Sequence, residues 1–165
     1  MALRIVRIDG DPVLRKKSRP VEQLSDRILN LIQDLKDTMY EHNGVGLAAP
    51  QIGMLRRVIV VDVTQEDMEN VDETIPKGPI VLINPEILEQ SGEQIGSEGC
   101  LSVPDFSGKV KRPKTIKVKA RNENFEEVEF EANDFFARAI CHEIDHLNGV
   151  LYTDLVIGQL EPLGD

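Results

Sequence analysis

His142, Glu143 and His146 fall within one five-residue run, His142-Glu143-Ile144-Asp145-His146. On a helix, residues four apart stack on one face, so the two imidazoles can reach a single cation while Glu143 turns about 100° aside. This is the ligand spacing of a hydrolytic zinc-type centre, in which a divalent ion activates water and a neighbouring carboxylate moves the proton. Two histidines and a glutamate also meet on helices by chance, so the reading depends on a third ligand. A catalytic site of this kind takes three protein ligands and keeps one position open.

The chain has three histidines and two cysteines, so the candidates are few. One group of metallopeptidases continues the motif as HExxHxxGxxH; Gly149 matches, but Tyr152 stands where the last histidine should be. Another takes a glutamate from a later helix, whereas only Glu161 lies downstream, beside Pro162. His42 precedes Asn43-Gly44 at the expected end of another helix, where a surface or capping role is its default. Cys141 points about 120° round the helix from the ligand stripe and is expected to pack. Cys100 remains, in Glu98-Gly99-Cys100-Leu101-Ser102-Val103-Pro104. A lone cysteine more often packs than ligates, but beside a two-histidine helix that lacks a soft donor, a thiolate ligand is the expectation. A thiolate with two imidazoles suits zinc and ferrous iron alike.

These groups need a rigid support. Over residues 134–148, Phe135, Ala139, His142 and His146 share one helical stripe, and Phe136, Ile140, Glu143 and Leu147 the next. Asp134, Arg138 and Asp145 form a narrow edge expected to be wet, so the helix should run through the middle of the domain. Asn133 or Asp134 is expected to cap its start and Asn148-Gly149 to end it. A second helix starts after Ser25, carries Ile28, Leu31, Ile32, Leu35 and Met39, and closes at Asn43-Gly44. Residues 57–63 and 80–83 read as buried strands, the second stopped by Asn84-Pro85. Residues 65–78, acidic and broken by Pro76 and Gly78, read as a mobile surface insertion near the mouth of the site. Residues 115–120 and 125–131 alternate around Asn122-Glu123-Asn124 as a hairpin. The expected fold is α+β, with antiparallel β-sheets packed around a central metal-binding helix.

With 165 residues and 41% apolar content, residues 1–165 are expected to form a single catalytic domain. The first residues lack the apolar run of about 7–15 that a secretory signal needs, and no stretch is long enough to cross a membrane. Two cysteines, one wanted as a thiolate, favour a reducing compartment, and the cytoplasm fits. A net charge of −10 with no basic face argues against direct nucleic-acid binding. Gly44-Val45-Gly46 lacks the lysine-serine pair of a phosphate loop and is not read as one.

Three separated blocks, Gly44-Val45-Gly46-Leu47-Ala48-Ala49-Pro50-Gln51-Ile52-Gly53, Glu98-Gly99-Cys100-Leu101-Ser102 and His142-Glu143-Ile144-Asp145-His146, occur in an order that resembles the peptide deformylase family. The resemblance spans nearly the whole chain. It implies removal of the formyl group from N-formylmethionine on nascent polypeptides, by attack of metal-bound water. It further implies that Cys100, His142 and His146 hold the metal, that Glu143 is general acid and base, and that Gln51 and the backbone N–H of Leu101 receive the oxyanion. Backbone groups around Val45 and Gly46 are expected to align the peptide, and Glu98 to hold water or the cysteine loop. Arg112 is expected to pair with Asp145, with Arg138 as competitor. Phe135 and Ala139 are expected to line an apolar methionine pocket. The implied ion is Fe²⁺, with zinc or nickel as ions found after purification. The implied partners are N-formylmethionyl peptides and, transiently, the ribosome; the acidic, proline-broken run 161–165 is unlike the basic helix by which some relatives dock there.

The chemistry is consistent with these roles. A formamide is a poor electrophile, and a Lewis acid that polarises its oxygen while supplying a nucleophile at neutral pH addresses both difficulties. A general metallopeptidase would instead cleave unformylated peptides internally. A purely structural metal module would need a fourth protein ligand, and the sequence offers none.

Overall fold

The computed structural model describes residues 3–65 and 78–163. The expected insertion at 65–78 therefore lies almost wholly outside the described residues. Eight strands and two long helices follow one another as α1 (Asp26–Glu41), β1 (Gly46–Ala48), β2 (Val58–Val61), β3 (Ile80–Ser91), β4 (Gln94–Cys100), β5 (Val103–Arg112), β6 (Thr115–Arg121), β7 (Glu127–Asn133), α2 (Asp134–Leu147) and β8 (Val156–Pro162). The strands form two antiparallel sheets, one in the order β1-β2-β3-β6-β7 and the other β4-β5-β8.

The five-stranded sheet separates the helices. Successive strand residues point to opposite faces, and β2 obeys this with apolar residues on both: Ile59 and Val61 pack with α2, Val58 and Val60 with α1. α1 presents Ile28, Leu31, Ile32, Leu35 and Met39 to its side of the sheet, and the Ser25 hydroxyl accepts from the Ile28 N–H at its start, as expected. α2 presents Phe136, Ala137, Ile140, Ile144 and Leu147 to the other side. Its remaining face lies against the three-stranded sheet, so the helix is covered all round. At its end the Arg57 guanidinium donates to the Leu147 carbonyl at 3.2 Å and to Asn148 Oδ1 at 3.1 Å, matching a cation to the negative helix terminus.

Several expectations are corrected here. The second strand does not stop at Asn84-Pro85: β3 runs to Ser91, with a register shift between Ile83 and Glu86. Asn84 takes φ 53° at that bulge and its side chain bonds both the N–H and the C=O of Val21, each at 2.8 Å, so the proline sits where no ladder donor is needed. Asn133 precedes α2 but caps it with no side-chain bond; its Oδ1 accepts from Thr115 instead. The edge expected to be wet is wet at Asp134, but Arg138 is only 5% exposed and Asp145 is partly covered. The hairpin forms as β6 and β7, in register from Thr115↔Asn133 to Arg121↔Glu127. Its outer face carries cross-strand pairs, Lys117 with Glu129 at 3.2 Å and Lys119 with Glu127 at 3.0 Å.

Gly149 ends the turn after α2 with φ +77°, and a Cβ there would lie 2.6 Å from the Arg15 carbonyl oxygen. Backbone cannot yield as a flexible side chain would. Gly149→Ala is expected to lower unfolding stability by about 2–4 kcal/mol, combining left-handed strain with the clash; a denaturant midpoint within error of the wild type would contradict this.

Candidate metal centre

α2 holds its ligand stripe under the β4-β5 turn. His142 and His146, 8% and 1% exposed, face Cys100 at the end of β4, where the tight Leu101-Ser102 turn starts the return into β5. Cys100 Sγ lies 3.3 Å from His146 Nε2, and one ligand atom from each of the three residues lies within 4.8 Å of the others. Bond lengths of about 2.0–2.3 Å to a tetrahedral divalent ion require ligand separations of roughly 3.5 Å. One sulfur and two imidazole nitrogens drawn this close fit such an ion in both donor type and spacing.

Behind the ligands lies a buried ion-pair network. Glu98 accepts from Arg112 Nε and Nη2, each at 2.8 Å, from Arg138 Nη1 at 2.7 Å, and meets His142 Nδ1 at 2.9 Å. Arg112 also reaches Asp145 at 2.5 Å, so the expected Arg112–Asp145 pair forms and Arg138 does not compete for it. Arg138 instead donates to Glu98 and to the Val110 and Gly96 carbonyls. Its guanidinium comes so near Gly96 that a Cβ there would sit 3.0 Å from Nη2. Burial alone would raise the Glu98 carboxyl, but the hydrogen bonds from Arg112 and His142 outweigh it and hold it down at about 2. With its lone pairs occupied by four nitrogens, Glu98 orients His142 and has no acceptor left for water or peptide.

The two imidazoles are tuned apart. Burial disfavours the His142 imidazolium, yet the Cys100 sulfur and Glu98 reverse the sign and raise its pKa well above the usual range. His146, buried with positive groups nearby, is held well below it. The Cys100 sulfur and the Glu98 carboxylate at Nδ1 thus favour positive charge on His142. Burial pushes Glu143 up to about 7, with His142 opposing the rise. Glu143 Oε1 and His146 Nδ1 are buried with no hydrogen-bond partner among the described residues.

Gly46 explains how Glu143 comes to face the cavity: a Cβ there would stand 2.6 Å from Glu143 Oε2. Only a glycine lets β1 approach so closely. Gln51 is 1% exposed, in the 3₁₀ turn that follows β1. Its Oε1 accepts from the Ala48 N–H at 2.9 Å, which turns the amide nitrogen toward Ser102 Oγ at 3.0 Å and Cys100 Sγ at 3.5 Å. A cavity of about 820 Å³ is lined by Val45, Gly46, Gln51, Leu101, Phe135 and Ala139 together with Cys100, His142 and Glu143.

Every site residue expected from sequence thus borders one cavity, except that His146 lies just beneath it. Sequence reasoning missed Arg138 as the partner of Glu98, Ser102 as the partner of Gln51, and Tyr152. The last stands where some metallopeptidases place a third histidine; here its ring stacks on His142 at 5.9 Å between centroids. Cys141, the alternative sulfur, is buried and its thiol is pushed up to about 11 by desolvation, which keeps it protonated and inert.

Comparison with known proteins agrees with this arrangement. The family model described as polypeptide deformylase matches residues 3–160. Peptide deformylase 1 of Clostridium acetobutylicum is 55% identical over 154 residues, covering 93% of this chain and 95% of its own length. The peptide deformylase of Agathobacter rectalis is 51% identical over 160 residues, covering 97% and 94%. Among solved structures, peptide deformylase from Thermotoga maritima superposes with a TM-score of 0.85 at 42% identity, covering 96% of this chain and 100% of that one. The one from Legionella pneumophila gives 0.85 at 39%, covering 94% and 87%.

Arg138→Met would leave Glu98 short of a donor and remove the guanidinium's contacts with the Gly96 and Val110 carbonyls. A loss of about 3–5 kcal/mol in unfolding stability is expected, whereas Lys111→Met, which breaks an exposed pair with Glu93, should cost no more than about 1 kcal/mol. Equal losses in the two variants would refute the distinction.

Proposed function

The chain belongs to the peptide deformylase family, and from that premise we propose that Cys100, His142 and His146 hold its metal ion, with Glu143, Gln51 and Leu101 carrying out the reaction. The enzyme is a metal-dependent hydrolase that removes the formyl group from N-formylmethionine of nascent polypeptides. The observation that carries the residue assignment is the convergence of one sulfur and two imidazoles within 4.8 Å, next to a buried carboxylate oxygen with no hydrogen-bond partner among the described residues.

When bound, the ion supplies Lewis-acid polarisation of the formyl oxygen and of the attacking water. Glu143 takes a proton from that water and delivers it to the departing amine as the formamide C–N bond breaks, giving formate and a free N-terminus. The oxyanion that develops on the formyl oxygen accepts from the Gln51 amide and from the Leu101 N–H. Gln51 suits this task because Ala48 holds its carbonyl, so that the NH₂ end faces the cavity before substrate arrives. A neutral donor also avoids competing with the ion for the Cys100 thiolate. The extended backbone at Val45 and Gly46 aligns the peptide, and Phe135 and Ala139 receive the methionine side chain. Glu98 positions His142.

The ion proposed is Fe²⁺, with zinc or nickel as replacements acquired in handling; the donor set accepts all three. We further assign residues 1–165 to one catalytic domain acting in the cytoplasm. A thiolate ligand is kept reduced there, and newly made chains are met there, in passing contact with the ribosome. Among the described residues no helix is long and apolar enough to cross a membrane. The net charge of −10 disfavours association with nucleic acid.

Glu143→Ala is expected to lower formate release from a formyl-Met peptide by about 10²–10⁴-fold while metal content stays at the wild-type level; retained turnover would remove Glu143 from the mechanism. Gln51→Leu should cost about 10²–10³ in kcat, without loss of metal. Purification without oxygen, followed by metal analysis and a formate assay, should find ferrous iron tracking activity. A fully active zinc protein from the same preparation would overturn the choice of ion.

A further inference from the structure

The arm that precedes α1 lies outside both sheets, yet it is fastened to the two turns proposed to carry the oxyanion donors. The Arg7 N–H donates to the Gln51 carbonyl at 2.7 Å, and two residues on the Asp9 N–H donates to the Ser102 carbonyl, also at 2.7 Å. Gln51 belongs to the turn after β1 and Ser102 to the turn between β4 and β5, so the arm ties one sheet to the other. Two residues of backbone reach at most about 7 Å, which limits how far the two turns can part. Core packing does not account for the arm, because Leu3 is 60% and Ile5 84% exposed; a terminus of this kind frays unless it is tied down. It is anchored at both ends. The Arg4 N–H donates to Thr38 Oγ1 at 3.0 Å and its Nε to Asp34 at 2.9 Å, both on α1. Arg7 Nη1 donates to Asp11 at 2.9 Å, and Asp11 caps the 3₁₀ turn Pro12–Arg15, which carries the buried Leu14. Between these anchors the Asp11 N–H donates to the Ile8 carbonyl at 3.0 Å, and Gly10, with φ +108°, is the turn's one residue at positive φ. That is a type II turn, which accepts proline at its second position, here Asp9.

We infer that residues 4–11 form a clamp that sets the aim of the oxyanion donors. With its backbone carbonyl held by Arg7 and its side-chain carbonyl by Ala48, Gln51 keeps its amide nitrogen directed at Ser102 and the cavity. With the Ser102 carbonyl held by Asp9, the Leu101-Ser102 turn cannot swing away from Gln51, and the Leu101 N–H keeps its place beside Cys100. The inference rests on the deformylase reading, which makes Gln51 and Leu101 the groups that receive the oxyanion. Arg7 and Asp9 do not line the cavity. They are positioning residues, and they act through backbone N–H groups. A donor slightly displaced binds the ground-state peptide much as before but meets the developing charge less well, so the clamp is expressed in kcat more than in KM.

Asp9→Pro, in the full-length enzyme, removes the N–H at a turn position that accepts proline. It is expected to lower kcat for formate release from a formyl-Met peptide by about 10–100-fold, with KM, metal content and the thermal midpoint near those of the wild type. Asp9→Ala keeps the N–H and loses only an exposed contact with Arg15 at 3.9 Å, so it should retain the wild-type kcat. Arg7→Pro set against Arg7→Ala repeats the comparison at the Gln51 carbonyl. In a Gln51→Leu background, Asp9→Pro should cost clearly less than in the wild type, because one of the two groups it aims is gone. Wild-type kcat in both proline variants, or an equal cost in the two backgrounds, would overturn the clamp. Loss of fold or of metal in both proline variants would overturn it too, by assigning the arm to stability alone. Failure of the oxyanion assignment itself would appear separately, as wild-type turnover in Gln51→Leu.

Discussion

The Glu98 carboxylate, buried between two arginines and a histidine, is the constraint on which the site depends. An ionised carboxylate inside a protein is tolerable only when its lone pairs are filled and its charge is balanced. Arg112 and Arg138 balance Glu98 and Asp145 charge for charge, and four nitrogens surround the single carboxylate of Glu98. The members come from three elements: Glu98 from β4, Arg112 from the end of β5, Arg138 and His142 from α2. The network therefore pins the three-stranded sheet to the helix in one register. Because Nδ1 of His142 is engaged by Glu98, its Nε2 is the nitrogen left to meet a cation.

The same register fixes the catalytic side. With β4 held against α2, the turn after Cys100 is placed where Gln51, arriving from the opposite sheet, meets Ser102. Gly46 then closes the site from β1, near enough to Glu143 that any side chain would displace the carboxylate. Two sheets and one helix thus each bring a fixed part, and little of the chemistry rests on free loops.

Much of this was legible in the residues. The stripe that places His142 and His146 together depends only on helical period, and the two-faced apolar run of β2 and the hairpin around Asn122 are likewise local patterns. Cys100 emerged because the other soft or imidazole donors were poorly placed. What escaped was non-local. β4 carries glycines and a glutamate where a strand signature would show alternating apolar residues, since its inward face meets guanidinium groups in place of aliphatic ones. Arg138 looked solvated because its partner lies 40 positions away. β3 seemed to end at Pro85 because a bulge that absorbs a proline leaves no local mark except an asparagine able to take positive φ. β8 went unread: only its last two residues, Glu161 and Pro162, fell within the acidic run 161–165, and its strand character arises from pairing with β5.

The charged hairpin of β6 and β7 bears on how this protein behaves in company. β7 closes one side of the larger sheet and offers unpaired backbone groups, which are a template for any extended chain drifting past. Its Glu127, Glu129 and Glu131 all project outward. A second copy sliding into register there would meet charged side chains already held in ion pairs, Lys117 with Glu129 and Lys119 with Glu127. A catalyst that works among unfolded, newly emerging chains thereby carries its most vulnerable border under paired charges, a surface that gives an extended chain little apolar contact in return for pairing.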